Sequence, residues 1–314
     1  MSLINFIKQC IPNTLKQKLR HLTPKERLYS VLANSLPAVK CVDVGASYYP
    51  HAKWRLFLQS PRTQWAAVEP NAYNLSYIQT WPYHSSVEVV NAGLSEHGGS
   101  QTLFVTNVDS GSSLLEPKIA ESMRRRITNL DYFYPVQRKT IKTLTLDDVL
   151  STSHSDNLPI FVKLDTQGTE LAILKGARKW LEAHNIVGIE MESTLQANPV
   201  MSGAGKFWQA CDYFESLGYE LLDIKPIYGP SRFGKNLARS KTFLNECDAV
   251  FALRQDVVAK KPVEYRIALM AFYICNQFYE EALSLLDEDV AVQKQLNLQG
   301  CSLTRLRAVM NFLR

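Results

Sequence analysis

The chain has 314 residues, of which 46% are hydrophobic, 10% aromatic and 21% charged, with a formal net charge of +5. This is the composition of an ordinary globular protein; it excludes disordered, collagen-like and fibrous chains and leaves room for one large domain or a domain with an appendage. No run of about 18 apolar residues free of charge marks a membrane span.

The charge is uneven. Lys8, Lys16, Lys18, Arg20 and Lys25 all precede the first acid, Glu26, so the leading segment carries the whole excess and the body is balanced. Nucleic-acid readers usually carry a basic stripe across the folded domain, and the other dense run here is Arg124-Arg125-Arg126, so no nucleic-acid partner is expected. The six cysteines are widely spaced without a C-x-x-C pair, and the apolar start is broken at Lys8. Together these predict no disulfide scaffold, no structural zinc, no secretory signal and a reducing cytoplasm.

Residues 1–30 place Leu3, Ile4, Phe6 and Ile7, then Leu15, Leu19 and Leu22, at near-helical spacing around Pro12. The pattern predicts two short amphipathic helices within a segment bounded at 1–37. That segment either packs on the body or, through residues 1–25, lies on the anionic inner face of a membrane. From Val39 onward, VKCVDVGA (39–46), QWAAVEPN (64–71), VEVVNAGL (87–94), IFVKLD (160–165) and IVGIEMES (186–193) read as strands covered on both faces. Helical stretches such as HAKWRLFLQS, AYNLSYIQT and GTELAILKGARKWLEAH separate them. Such alternation predicts a mostly parallel sheet.

Residues 95–150 break the rhythm with an expected hairpin around His97-Gly98-Gly99, a polar loop at 109–113, a helix near 117–128 and a strand near RKTIKTLTL. An insertion this long is expected to wall an acceptor pocket. YELLDIKPIYG (219–229) and NECDAVFALR (245–254) have no helix between them and predict an antiparallel hairpin at one sheet edge. After Arg254 the chain turns helical, with one unit resembling a tetratricopeptide repeat. A single unit does not stack into a solenoid, so residues 256–314 are expected to cap the main domain, 38–255, or to form a dimer contact.

Ligands of open parallel sheets bind beyond the carboxyl ends of the strands, where strand order reverses. The first run ends Asp43-Val44-Gly45-Ala46-Ser47, a turn that lets a ligand approach the backbone and reach free helix N–H groups. It lacks G-x-G-x-x-G, which counts against nicotinamide and flavin cofactors. The second ends Glu69-Pro70-Asn71, and a carboxylate there can accept the hydroxyls of a ribose. The third ends Asn91-Ala92-Gly93, small and polar groups beside which an adenine edge fits. The fourth carries Asp165, Gln167 and Glu170, and alternation in the fifth puts Glu190 and Glu192 on one face.

The set D-V-G-A (43–46), V-E-P-N (68–71), N-A-G-L-S (91–95), S-S-L (112–114), T-L-D-D-V-L (145–150) and K-L-D-T-Q-G-T-E-L-A-I-L-K-G-A (163–177) resembles the FkbM-type S-adenosylmethionine-dependent methyltransferases over residues 38–254. The resemblance implies an α/β, Rossmann-like fold with a seven-stranded sheet, S-adenosylmethionine as cofactor, and a hydroxyl acceptor on a glycan, glycolipid or secondary metabolite. On this reading Asp43, Gly45, Ala46, Ser47, Glu69, Pro70, Asn71, Asn91, Ala92 and Gly93 hold the cofactor. Gln167, Glu170, Ser112 and Ser113 face the acceptor, and Asp165 and Glu190 are the candidate bases or acceptor-orienting groups. Many relatives carry a second glycine where Ser47-Tyr48-Tyr49 stands and Glu where Gln167 stands; with Gln167 no metal is expected. The competing reading is a methyltransferase-like module without catalysis that acts through its helical tail.

Overall fold

The computed structural model describes residues 22–50, 52–81, 87–120, 130–151, 157–229 and 242–314. Of the sequence expectations, the helical segment up to residue 21 and most of the helix near 117–128 lie outside these residues.

Among the described residues ten strands follow in chain order: β1 (Val39–Val44), β2 (Thr63–Val68), β3 (Val87–Val90), β4 (Gly93–Leu94), β5 (Gly99–Thr106), β6 (Pro135–Leu144), β7 (Ile160–Leu164), β8 (Ile186–Thr194), β9 (Tyr219–Tyr228) and β10 (Leu244–Leu253). Seven of them make one sheet in the order β3-β2-β1-β7-β8-β10-β9. Its first five members are parallel, and β10 runs antiparallel to both β8 and β9. This is the expected α/β architecture with an antiparallel edge hairpin. The order reverses at β1, between β2 and β7, so the crevice beyond the tips of β1 and β7 is the switch point.

The insertion differs from its expected form. No hairpin closes around His97-Gly98-Gly99; β6 comes between, pairing parallel with β4 and antiparallel with β5. The run VEVVNAGL is split because the Ala92 N–H donates to the Val90 carbonyl at 3.0 Å and bends the chain out of the large sheet. The Ser95 N–H then donates to the Leu144 carbonyl at 2.9 Å, which fastens the chain beyond β4 to the end of β6.

The β1 strand is buried along its whole length, as a strand covered on both faces must be. One face of the sheet, over β7 and β8, is covered by the helix Val263–Cys275, with ten buried residues. A helix apolar around most of its circumference belongs inside a core. Its Phe272 ring stacks on Phe161 with centroids 5.3 Å apart, and it passes so close to Gly188 that an added Cβ would lie 2.7 Å from the ring. The helix Pro24–Leu32, closed at its start by a Thr23–Glu26 capping box, packs against Leu303–Leu313. Among the described residues no helix is long and apolar enough to cross a membrane.

Candidate functional site

At the tip of β1 the backbone turns through Gly45 at φ +73°, and a side chain there would place its Cβ 2.1 Å from the Asp165 carbonyl oxygen. Only glycine lets the β1 and β7 tips come this close. Ser47 follows at φ +47°, a left-handed conformation uncommon for a residue with a side chain. The bend aims its N–H at Glu69 Oε2 at 3.0 Å, while Glu69 Oε1 accepts the Asn71 N–H at 2.8 Å. Burial pushes the Glu69 carboxyl above its ordinary range, against the pull of those two N–H groups.

Asn71 caps the helix Ala72–Ile78 and also donates to Asp109 Oδ1 at 2.7 Å; Asn74 donates to Asp109 Oδ2 at 2.7 Å. The inserted segment is thereby clasped to the rim that carries Glu69. Beneath the clasp lies a cavity of about 320 Å³, within the size range of small-molecule sites. Val44, Val68, Ala92, Leu94 and Leu103 give it apolar walls, and Glu69, Asp109, Ser112, Lys139 and Asp165 give it polar groups.

A second, smaller cleft is lined by Gln167, Glu170, Glu192 and Glu246 with Phe133 and Met201. Gln167 stands at φ +59° and its Nε2 donates to Asp165 Oδ1 at 3.0 Å and to Glu192 Oε2 at 2.7 Å. Burial and the neighbouring carboxylates raise two acids of the cleft, Glu246 to about 7 and Glu192 well above its usual range, and burial raises Glu170 as well. Tyr132 packs with Phe133 and Met201 and reaches Ser110 at the cavity wall. Its hydroxyl is 2.6 Å from Ser110 Oγ, and burial together with the charges of Asp165, Glu192 and Glu246 raises its pKa.

Gly45, Glu69, Pro70, Asn71, Ala92, Gly93, Ser112, Ser113 and Asp165 line the cavity. Four other residues expected at the cofactor do not line it. Asp43 is buried and lies 3.4 Å from Lys163 Nζ, Ala46 packs inward near Trp81, Ser47 contributes its N–H to Glu69, and Asn91 is exposed. The Ser113 hydroxyl donates to the Gln167 carbonyl at 2.9 Å. Glu170 lines the second cleft, but its carboxylate accepts the N–H groups of Thr166 at 2.8 Å and Gly168 at 2.9 Å, so it shapes the turn.

Glu190 lines neither space. Lys53 Nζ at 2.8 Å and Trp54 Nε1 at 3.1 Å hold its two oxygens inside the core. It closes a buried row of charges: Lys163 sits between Asp43 on β1 and Glu190 on β8 in the sheet register. Burial opposes the charge on Lys163, and Asp43, Asp165 and Glu190 outweigh it and hold the ammonium above its ordinary range.

Sequence reasoning did not single out Lys163, Asn74, Tyr132 or Glu246, and had Asp109 as part of the polar loop 109–113 without its partners. Asp109 and Asn74 are 35 positions apart, and Glu246 reaches Glu192 only through the register of β10 on β8. No local pattern carries such pairings.

The FkbM methyltransferase domain model matches residues 43–221, more than half of the chain. The chain belongs to the FkbM methyltransferase family. Among solved structures it is similar to a precorrin-6y C5,15-methyltransferase from Geobacter metallireducens, with 10% identity over 74% of this chain and 88% of that one at a TM-score of 0.33. It is similar also to a TehB-like S-adenosylmethionine-dependent methyltransferase from Corynebacterium glutamicum, with 12% identity over 77% and 97% at a TM-score of 0.30. A third likeness is a Streptococcus pneumoniae protein described as a tRNA (m1A22) methyltransferase and solved with S-adenosyl-L-methionine, with 10% identity over 91% and 98% at a TM-score of 0.29. No curated protein matches the chain significantly.

S-adenosylmethionine is the cofactor of this FkbM protein, and the residues present fit it. The cavity is large enough for a nucleoside, its apolar strand tips offer a surface for a purine, and Glu69 presents carboxylate lone pairs at the rim. Each Glu69 oxygen already accepts one N–H, which fixes its direction and leaves capacity for the O–H groups of a ribose.

Proposed function

We propose that this FkbM methyltransferase methylates a hydroxyl group of a saccharide, glycolipid or related polyhydroxylated acceptor, with Asp165 receiving the hydroxyl proton. The observation that carries the reading is that Glu69 and Asp165, at the tips of β2 and β7, line one cavity at the switch point of the sheet. Glu69 would hold the ribose, and the strand tips with Ala92 and Leu94 would hold the base. When bound there, the cofactor would supply an electrophilic methyl group on a sulfonium, whose sulfur would keep the S–C bonding pair as a neutral thioether when the hydroxyl oxygen takes the methyl.

The protein's own contribution is alignment and proton acceptance. Asp165 is on the cavity wall with its side chain 47% exposed, so an acceptor can reach it. Gln167, Glu192, Thr194 and Glu246 in the adjoining cleft provide amide, hydroxyl and carboxyl groups, a lining suited to a polyol. Glu190, sealed in the core by Lys53 and Trp54, is assigned to holding Lys163 in the buried charge row.

The test is calorimetric titration with S-adenosylhomocysteine, joined to transfer of labelled methyl from S-adenosylmethionine to a panel of saccharides and glycolipids. Wild type and Asp165→Asn are expected to bind alike, and only wild type to transfer. Failure of the wild type to bind, or full transfer by Asp165→Asn, overturns the assignment.

A further inference from the structure

A carboxylate that accepts a proton from a substrate must point at it, yet the Asp165 side chain is nearly half exposed and an exposed aspartate samples several rotamers. Two groups restrain it. Lys163 Nζ lies 3.8 Å from Oδ2, and Gln167 Nε2 donates to Oδ1 at 3.0 Å. The second hydrogen of the same Gln167 nitrogen is directed at Glu192 Oε2, 2.7 Å away. With Nε2 turned this way both acids meet a donor, whereas the reversed amide would set its carbonyl oxygen against the Asp165 carboxylate.

The turn that carries Gln167 is itself fixed. Its left-handed backbone, φ +59°, is a conformation held only where surroundings impose it. Here they do: the Gln167 carbonyl accepts the Ser113 hydroxyl at 2.9 Å, and the N–H groups of Thr166 and Gly168 on either side donate to the buried Glu170. Ser113 belongs to the insertion, Glu170 to the helix Glu170–Lys175, and Glu192 to β8. Three separate parts of the fold thus converge on this one turn and its side chain.

We propose that Gln167 is a positioning residue, whose neutral side chain ties Asp165 to Glu192 and sets the direction of the Asp165 carboxylate toward the acceptor. The inference rests on the reading of Asp165 as proton acceptor. It also gives a reason for an amide at this position. A carboxylate at 167 would crowd three negative groups that could coexist only by sharing a proton or recruiting a cation, whereas the amide supplies two donors and no charge.

The deciding measurement is a 1H–15N spectrum of the full chain labelled in its glutamine side chains, with the Gln167 pair identified by its disappearance in Gln167→Ala. The two protons are expected well away from free-amide positions, slow to exchange with solvent, and shifted by both Asp165→Asn and Glu192→Gln. Calorimetric binding of S-adenosylhomocysteine within about twofold of wild type reports that each variant is folded. On any hydroxyl acceptor found, Gln167→Ala is expected to lower kcat by about 10- to 100-fold with little change in the KM for S-adenosylmethionine. A Gln167 pair at free-amide positions and indifferent to both substitutions overturns the proposal. If the pair behaves as expected while Asp165→Asn still transfers methyl, the bridge stands and the proton-acceptor reading falls.

Discussion

The two halves of the crevice hold their carboxylates by different means. On the β1–β2 side Glu69 is fixed by backbone N–H groups, those of Ser47 and Asn71, whose positions the turn dictates. On the β7–β8–β10 side Glu170 is held in the same way by the N–H groups of Thr166 and Gly168, but Glu192 takes a side-chain amide. Glu192 and Glu246, raised by burial as Glu69 is, are raised further by several neighbouring carboxylates. The first arrangement suits a ligand that is always the same. The second leaves the charge of the cleft responsive to pH and to whatever enters it.

The largest effect that would break this contrast is expected at Gly45. Gly45→Val must force apart the β1 and β7 tips, since its Cβ would fall 2.1 Å from the Asp165 carbonyl oxygen in a left-handed backbone. Loss of at least about 3 kcal/mol is expected, read as failure to recover soluble protein or a fall in Tm of about 10 °C. Next is Glu69→Ala, which is expected to weaken S-adenosylhomocysteine binding by about 100-fold or more in calorimetry, as loss of a charged partner to two hydroxyls should. Retained binding would mean that the backbone-held carboxylate is not the ribose anchor.

A smaller and sharper effect concerns pH. Glu246 and Glu192 hold their protons more tightly folded than unfolded, so their contribution to stability is complete below the ordinary carboxylate range and is lost as pH rises toward about 7 and beyond. Tm is therefore expected to fall by a few degrees between about pH 5 and about pH 8, and Glu246→Gln to flatten that slope by differential scanning calorimetry. An unchanged slope would remove the distinction between the two sides. The smallest effect is expected at the clasp: Asp109→Ala should speed release of S-adenosylhomocysteine about three- to tenfold in stopped flow, with Tm little changed, because Asp109 fastens the insertion through two hydrogen bonds only.

Much of this arrangement was legible in advance. The runs ending in Gly45, Glu69, Ala92 and Asp165 are strands or strand ends, and these residues do line one cavity. Continuous β-branched runs and glycine turns are local signals, and the switch-point rule converts them into a site. What could not be read is which neighbours each carboxylate acquires. Glu190 and Glu192 share a strand face and an alternation, yet one is sealed by Lys53 and Trp54 while the other opens on the cleft. The insertion was expected as a local hairpin because His97-Gly98-Gly99 is a good turn, and non-local pairing with β6 prevailed.

The parallel run of elements, the family motifs and the acids at the strand tips can be read along the chain, because short-range periodicity and motif spacing carry them. The Asp109 clasp, the seating of Val263–Cys275 over Gly188, the burial of Glu190 and the Asp165–Gln167–Glu192 bridge emerge when the chain is folded. Those depend on contacts between residues tens of positions apart, where packing and desolvation, rather than local propensity, set which group meets which.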